Sequence, residues 1–211
     1  MGIAERKQRE KEKRRNEILD AAEELFFSQG LQQTTMDDLA ARTELSKGTL
    51  YLYFRSKDEV YLALNVRAKR LLREQMEAAA RTPGTGLDKV LALGRAYLSF
   101  SLAYPDYAQV IQNCMISEGE QMDASAYARE AHEHGERSLQ LLIDSLAAGQ
   151  ADGSIRQQLD ALKTGLVLWA QMTGLLQILS AKGTYLKADF KLEESELMEY
   201  VFELIPLMLS P

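Results

Sequence analysis

Hydrophobic positions recur along this chain at spacings of three and four, the period of a helix face rather than of a strand. Ile18, Ala22, Leu25 and Phe26 form the inner stripe of a first helix, about Arg6 to Gln29, which Gly30 ends. Residues 1 to about 5 are expected to be disordered. A second, short helix begins at a Thr cap, Thr34 or Thr35, with Asp37 and Asp38 in its first turn and Leu39 and Ala40 inward. Side-chain oxygens there accept otherwise unpaired N–H groups, and acids favour a helix N-terminus. Thr43-Glu44-Leu45 reads as a turn, and Ser46 caps a third helix, Lys47 to about Phe54, with Leu50 and Phe54 inward. Ser56 and Glu59 have the spacing of a capping box. They open a fourth helix to about Arg81, with Val60, Leu64, Arg67, Leu71 and Met76 near one face. Its roughly 25 residues would span roughly 38 Å.

Thr82-Pro83-Gly84-Thr85-Gly86 is the clearest break. Beyond it, Val90, Leu93, Tyr97, Phe100 and Tyr104 mark helix 5, about Leu87 to Ala103, and Pro105 opens helix 6, to about Ile116. Ser117 to Asp123 is a polar break. Helix 7 runs from about Ala124 to Ala151 with Leu139, Leu142, Ile143 and Leu146 inward, and Gly149-x-x-x-Gly153-x-Ile155-Arg156 reads as the turn after it. Helix 8, about Leu159 to Lys182, is apolar on nearly every side in its second half, so it is expected to be buried on nearly every side. Helix 9, about Glu193 to Leu209, carries Leu197, Val201, Leu204 and Met208 in one stripe. The reading is an all-α fold of about nine helices. Helices 8 and 9 need more cover than one small domain supplies, and a second copy of the chain is the economical cover.

The outward side of the third helix carries Lys47, Gly48, Thr49, Tyr51 and Tyr53. These offer hydrogen-bond donors to phosphates and base edges. Two short helices joined by a tight turn, the second presenting polar groups, make a helix-turn-helix. The runs Thr-Thr-Met-Asp-Asp-Leu-Ala (34–40), Leu-Ser-Lys-Gly-Thr-Leu-Tyr-Leu-Tyr-Phe (45–54) and Ser-Lys-Asp-Glu (56–59) resemble the TetR (tetracycline-repressor-like) family closely. The resemblance covers about residues 8–66 strongly and the remainder in layout. One position departs from it. Such turns commonly carry Gly where this chain has Glu44, and positive φ at a side-chain-bearing residue costs roughly 1 kcal/mol. Either the turn is strained or its dihedrals differ.

The resemblance implies an N-terminal three-helix DNA-binding domain (residues 1–55) and a C-terminal ligand-binding and dimerisation domain (residues 56–211). It implies a double-stranded DNA operator, a homodimer through helices 8 and 9 in a four-helix bundle, and a small-molecule effector. Carried over by residue, Thr35 and Lys57 meet phosphate, Tyr51 and Tyr53 phosphate or bases, and Ser46, Lys47, Gly48 and Thr49 the major groove. Tyr104, Tyr107, Met115, Trp169 and Met172 lie on helices that surround the effector cavity in that family, and as Met and aromatic side chains they suit an apolar ligand. Each of them equally suits a plain core, and Trp169 equally suits the dimer interface. A ligand wedged beside the far end of helix 4 is expected to tilt it and release DNA.

A net charge of −6 looks wrong for a DNA binder. Its distribution changes the picture: residues 1–15 hold seven basic and three acidic residues, while 68–211 hold thirteen basic and nineteen acidic. The basic half of helix 1 either lies along DNA or is a solvated charged helix end. The single cysteine, Cys114, excludes an intrachain disulfide and fits a reducing compartment; it reads as a buried small hydrophobe or an oxidant sensor. The charged N-terminus is no secretory signal, and the most apolar run, Gly165 to Ala181, contains Gln171, Thr173 and Gln177. The expectation is therefore a cytoplasmic protein without a membrane span. No nucleophile elbow, phosphate loop, metalloprotease or cofactor motif occurs, so an enzyme is not expected. His132 and Glu136 share a helix face, but two ligands do not fill a metal's shell, so no metal is expected. The function expected is a ligand-responsive transcriptional repressor. Two rivals are a helical small-molecule-binding dimer without DNA-binding activity, against which the Lys47 to Lys57 set stands, and a helical enzyme, against which the missing catalytic constellation stands.

Overall fold

The computed structural model describes residues 2–115 and 125–211, and those residues form nine helices and no strand. They are α1 (Ile3–Gln29), α2 (Met36–Arg42), α3 (Lys47–Tyr51), α4 (Lys57–Ala80), α5 (Gly86–Ala103), α6 (Pro105–Met115), α7 (Ala126–Asp152), α8 (Ala161–Phe190) and α9 (Glu194–Leu209). The expected polar break Ser117 to Asp123, with Ile116 and Ala124 beside it, lies outside the described residues. The chain forms two compact units. α4 contributes to both, changing unit between Arg70 and Leu71, and α7 changes between Glu133 and His134.

The first unit holds α1 to α3, α4 up to Arg70, α6 from Asp106 and the start of α7. Its core is Ile18, Ala22, Phe26, Leu39, Leu50, Phe54, Val60 and Leu64, joined by Val110 and Cys114. Burying each large side chain stabilises by about 1.5–3 kcal/mol. Arg67, placed on the inner face by the sequence pattern, is there as a charge: its guanidinium donates to Asp20 at 2.7 Å and to Glu23. α1 starts at Ile3, where disorder was expected up to about residue 5. Its exposed half is stitched by its own side chains, Arg6 to Glu10 (2.9 Å), Gln8 to Glu12 (2.8 Å) and Arg14 to Glu17 (2.7 Å). Each such pair stabilises a helix by about 0.2–0.5 kcal/mol.

The second unit holds α5, α8, α9 and the remaining parts of α4 and α7. Val90, Leu146, Ile155, Leu168, Met172, Leu176, Phe202, Ile205 and Leu209 form its core. Gly149 is not in a turn, as its motif suggested, but inside α7. A Cβ on Gly86 would lie 2.0 Å from the Gly149 nitrogen, so the start of α5 and the end of α7 touch backbone to backbone. Gly153, at φ 81°, makes the turn. α8 runs on past Lys182 to Phe190, because Gly183 continues the helix and Lys191 closes it in the left-handed conformation.

The expectation that α8 is buried on nearly every side fails within one chain. Only Gly165, Leu168, Met172, Thr173, Leu176, Leu179 and Gly183 are buried, while Leu162, Leu166, Val167, Trp169, Ile178 and Tyr185 are exposed. α9 likewise packs through Phe202, Ile205 and Leu209 and leaves Tyr200, Leu204 and Leu207 exposed. By length and composition α8 is apolar enough to cross a membrane.

Candidate nucleic-acid interface

The helix-turn-helix is built by caps. The Thr35 hydroxyl accepts from the Asp38 N–H (3.2 Å), and the Asp38 carboxylate accepts from the Thr35 N–H (2.8 Å) and hydroxyl (2.6 Å). Those bonds hold the Asp38 carboxyl below its ordinary value. α2 ends at a turn in which Glu44 takes φ 55°, so the turn is strained rather than rearranged. The Leu45 N–H donates to the Ala40 carbonyl at 3.0 Å and holds that conformation. Ser46 then caps α3 by accepting from the Thr49 N–H at 3.1 Å. α3 is shorter than expected, ending at Tyr51 instead of about Phe54. The Leu52 and Tyr53 N–H groups bond three residues back, to Thr49 and Leu50, tightening the last turn. That turn still seats Phe54 in the core, fully buried beside Leu50.

The opposite side is open. Ser46, Lys47, Gly48, Tyr51 and Leu52 are exposed, and Thr49 and Tyr53 half-buried. A Cβ on Gly48 would meet nothing nearer than Ser46 Oγ at 3.9 Å, so nothing inside the fold requires glycine there. The Lys47 ammonium pairs with Asp37 of α2 at 2.8 Å, and this hydrogen-bonded carboxylate raises the Lys47 pKa. Lys57 donates to the Leu31 and Gln32 carbonyls at 2.7 and 3.4 Å, bracing the loop after α1. An ammonium has three donors, so one remains for a phosphate. Glu59 does not complete the expected box with Ser56: the Ser56 hydroxyl accepts from the Glu59 N–H at 3.1 Å, but the Glu59 carboxylate takes the Arg55 N–H.

Beside this face lies a groove of about 580 Å³ lined by Lys7, Glu10, Lys11, Lys13, Arg14, Glu17 and Tyr53. Two residues of this open side were not singled out by the sequence reading. Asp37 was read only as an acid at a helix start, and its position ten before Lys47 carries no periodic signal. Leu52, 78 % exposed, is an apolar group on the open side, flanked by two Tyr.

The candidate effector residues divide between the units. Tyr107 and Met115 belong to the first, where the Tyr107 hydroxyl donates to Glu23 and burial raises its pKa. Tyr104, Trp169 and Met172 belong to the second. Tyr104 packs on Phe100 at the end of α5, Met172 is buried in the core, and Trp169 is on the exposed side of α8. Cys114 is buried in the first core. Among the described residues no cluster of three or more His, Cys, Asp or Glu side chains could hold a metal.

Two family models match the chain. Residues 18–64 match the family described as bacterial regulatory proteins, tetR family, and residues 90–201 match the Tetracyclin repressor-like C-terminal domain. The HTH-type transcriptional activator FasR of Mycolicibacterium smegmatis is 34 % identical over 90 residues, 43 % of this chain and 41 % of that protein, so the match spans less than half of that relative's length. The HTH-type transcriptional repressor KstR2 of the same organism is 27 % identical over 147 residues, 70 % of each chain. Among solved structures, the transcriptional regulator FadR from Bacillus subtilis in complex with stearoyl-CoA superposes with TM-score 0.66 at 21 % identity, covering 90 % of this chain and 96 % of that one.

Proposed function

This chain belongs to the tetR family of bacterial regulatory proteins, a family of transcriptional regulators and not of enzymes, and we propose that it is a cytoplasmic, homodimeric repressor that a small apolar effector releases from a pseudo-palindromic operator. The observation that carries the reading is the open side of α3. Lys47, Gly48 and Tyr51 are exposed and Thr49 and Tyr53 half-exposed on α3 and the tight turn after it, whose other side is fixed by Leu50 and Phe54, and Gly48 leaves room for close backbone approach. In this role Ser46, Lys47, Gly48 and Thr49 enter the major groove, Tyr51 and Tyr53 meet bases or phosphate, and Thr35 and Lys57 hold phosphates. Residues 1–55 carry DNA contact, and 56–211 carry effector binding and dimerisation.

The dimer forms through α8 and α9. Their exposed apolar side chains supply the motive, since an uncovered patch of this kind marks an interaction surface on a soluble chain. Tyr104, Tyr107, Met115, Trp169 and Met172 are the residues proposed to meet the effector. An effector with an apolar chain is in keeping with the acyl chain of the stearoyl-CoA held by the Bacillus subtilis FadR. α4, shared by both units, is the element proposed to transmit binding. A hundredfold preference of the effector for the DNA-released state is worth about 2.7 kcal/mol, and equal affinity for both states would shift nothing. Repression is the proposed sign, although FasR is an activator and KstR2 a repressor.

The test is selection of bound duplexes from a random-sequence pool. The expected product is a pseudo-palindrome with half-sites about 34–36 Å apart, one DNA turn. A pool left without consensus after repeated rounds would overturn the reading.

A further inference from the structure

We propose that the N-terminal half of α1 is a second DNA-contact surface, a cationic arm whose Lys7 and Lys11 hold phosphates flanking the sequence that α3 reads. The inference rests on the DNA-binding reading above and extends it beyond the helix-turn-helix. Helical spacing supplies the first observation. Lys7, Lys11, Arg14, Ile18 and Ala22 follow one another by three or four residues, so they share a face. Ile18 and Ala22, both fully buried, are where that face packs against the unit. The face that is apolar under protein cover turns cationic where the cover ends.

The second observation is the groove. It runs along Lys7, Lys11, Lys13 and Arg14 and reaches Tyr53, so the arm is continuous with the proposed interface. The third is the state of the charges. Glu10 is engaged by Arg6 at 2.9 Å and Glu17 by Arg14 at 2.7 Å, whereas Lys13 Nζ stands 4.0 Å from Glu17. Lys7 and Lys11 make no ion pair among the described residues. The two lining carboxylates are thus occupied, Lys13 stands within ion-pair distance of Glu17, and Lys7 and Lys11 are left for an outside anion.

A duplex fits this better than a small anion. The groove is open and its cations are exposed, so no single ion would be desolvated. Lys7 and Lys11 are separated by a rise of about 6 Å. A DNA strand carries one charge per about 3.4 Å of axis, so the arm meets more than one phosphate. Such contacts carry no sequence information.

The test uses the full chain and a fluorescent random-sequence duplex of about 30 base pairs, long enough for two half-sites one turn apart. Lys11→Gln is compared with Arg9→Gln, which removes the same charge from a position about 200° away around the helix. Each lost phosphate contact should flatten the log affinity–log salt slope by about 0.9, which at 0.1 M salt is about an eightfold loss. We expect that loss for Lys11→Gln, less than a twofold change for Arg9→Gln, and retention of affinity in Lys11→Arg. Equal losses at positions 9 and 11, or none at position 11, would overturn the arm. Loss of sequence preference in α3 variants with the salt slope intact would bear on α3 alone, so the two readings fail separately. A wild-type chain that binds neither random nor selected duplexes would overturn both.

Discussion

Asp37 and Gly48 are both exposed, and in the proposed DNA-binding role they act in opposite directions. The Asp37 carboxylate both pairs with Lys47 at 2.8 Å and presents a negative charge where phosphates must approach. An exposed pair of this kind adds little to folding, so its effect belongs to binding. Asp37→Asn should lower the melting temperature by no more than about 4 °C, the loss of one first-turn acid, and tighten binding to any duplex by about eightfold at 0.1 M salt, since one more cation contact counts. Anisotropy titrations of wild type and variant check this; unchanged affinity would mean Lys47 already leaves Asp37 without cost. Gly48→Ala should fold normally, and as an exposed helical Gly→Ala change it should gain up to about 1 kcal/mol. Operator affinity should nevertheless fall at least tenfold, because the added methyl enters the space kept for DNA. A stabilised variant with full affinity would remove Gly48 from the interface. The open set from Ser46 to Tyr53 was legible because alternate sides of one short helix carry different chemistry. The Asp37–Lys47 pair was not, because it joins two helices, and a helix period does not report contacts between elements. The strain at Glu44 was half legible: the residue type marked the turn, and only the backbone shows that it takes positive φ.

Periodicity and caps placed all nine described helices, with ends such as Gln29, Ala103, Pro105 and Leu209 where expected, and the larger misses are the start of α1 and the end of α8. α1 starts three residues early because its mixed charges pair along one helix, a local stabilisation with no apolar signature. α8 runs eight residues late because Gly183, a residue that usually weakens a helix, is buried where a Cβ would meet the Glu194 carboxylate at 2.1 Å. Gly149 was misread for a related reason. Glycine marks a turn when it supplies positive φ, but it also permits two helices to touch. Gly86→Ala tests that second use. Its Cβ would lie 2.0 Å from the Gly149 nitrogen and 2.6 Å from the Ser145 carbonyl oxygen, both backbone atoms that no rotamer can move. The expected cost is about 3 kcal/mol or more, an overpacking effect at the upper end of its range. In a chain of this size each kcal/mol shifts the melting temperature by about 2–4 °C. Calorimetry showing a shift under 2 °C would mean that the crossing is looser than described.

Charge and apolar surface are segregated along the whole molecule, and the segregation matches the proposed division of labour. The base-rich segment is the first half of α1, within residues 1–15, and the acid lies in residues 68–211, where it discourages indiscriminate binding to nucleic acid. The uncovered apolar side chains are concentrated on α8 and α9. A second copy of the chain would cover them, and Val167→Glu with Leu204→Glu should convert a sedimenting dimer to monomer or aggregate. Wild-type monomer at micromolar concentration would contradict the pairing. A twofold dimer presents two copies of α3, which is how a helix of five residues can specify a site. The measurement that bears most directly on the account is therefore the ratio of dissociation constants for a selected pseudo-palindrome and for its scrambled sequence at the same physiological salt. The account predicts at least a thousandfold preference, the lower end for specific DNA readers. A ratio below ten would contradict it, leaving only the sequence-independent attraction that any cationic surface has for DNA.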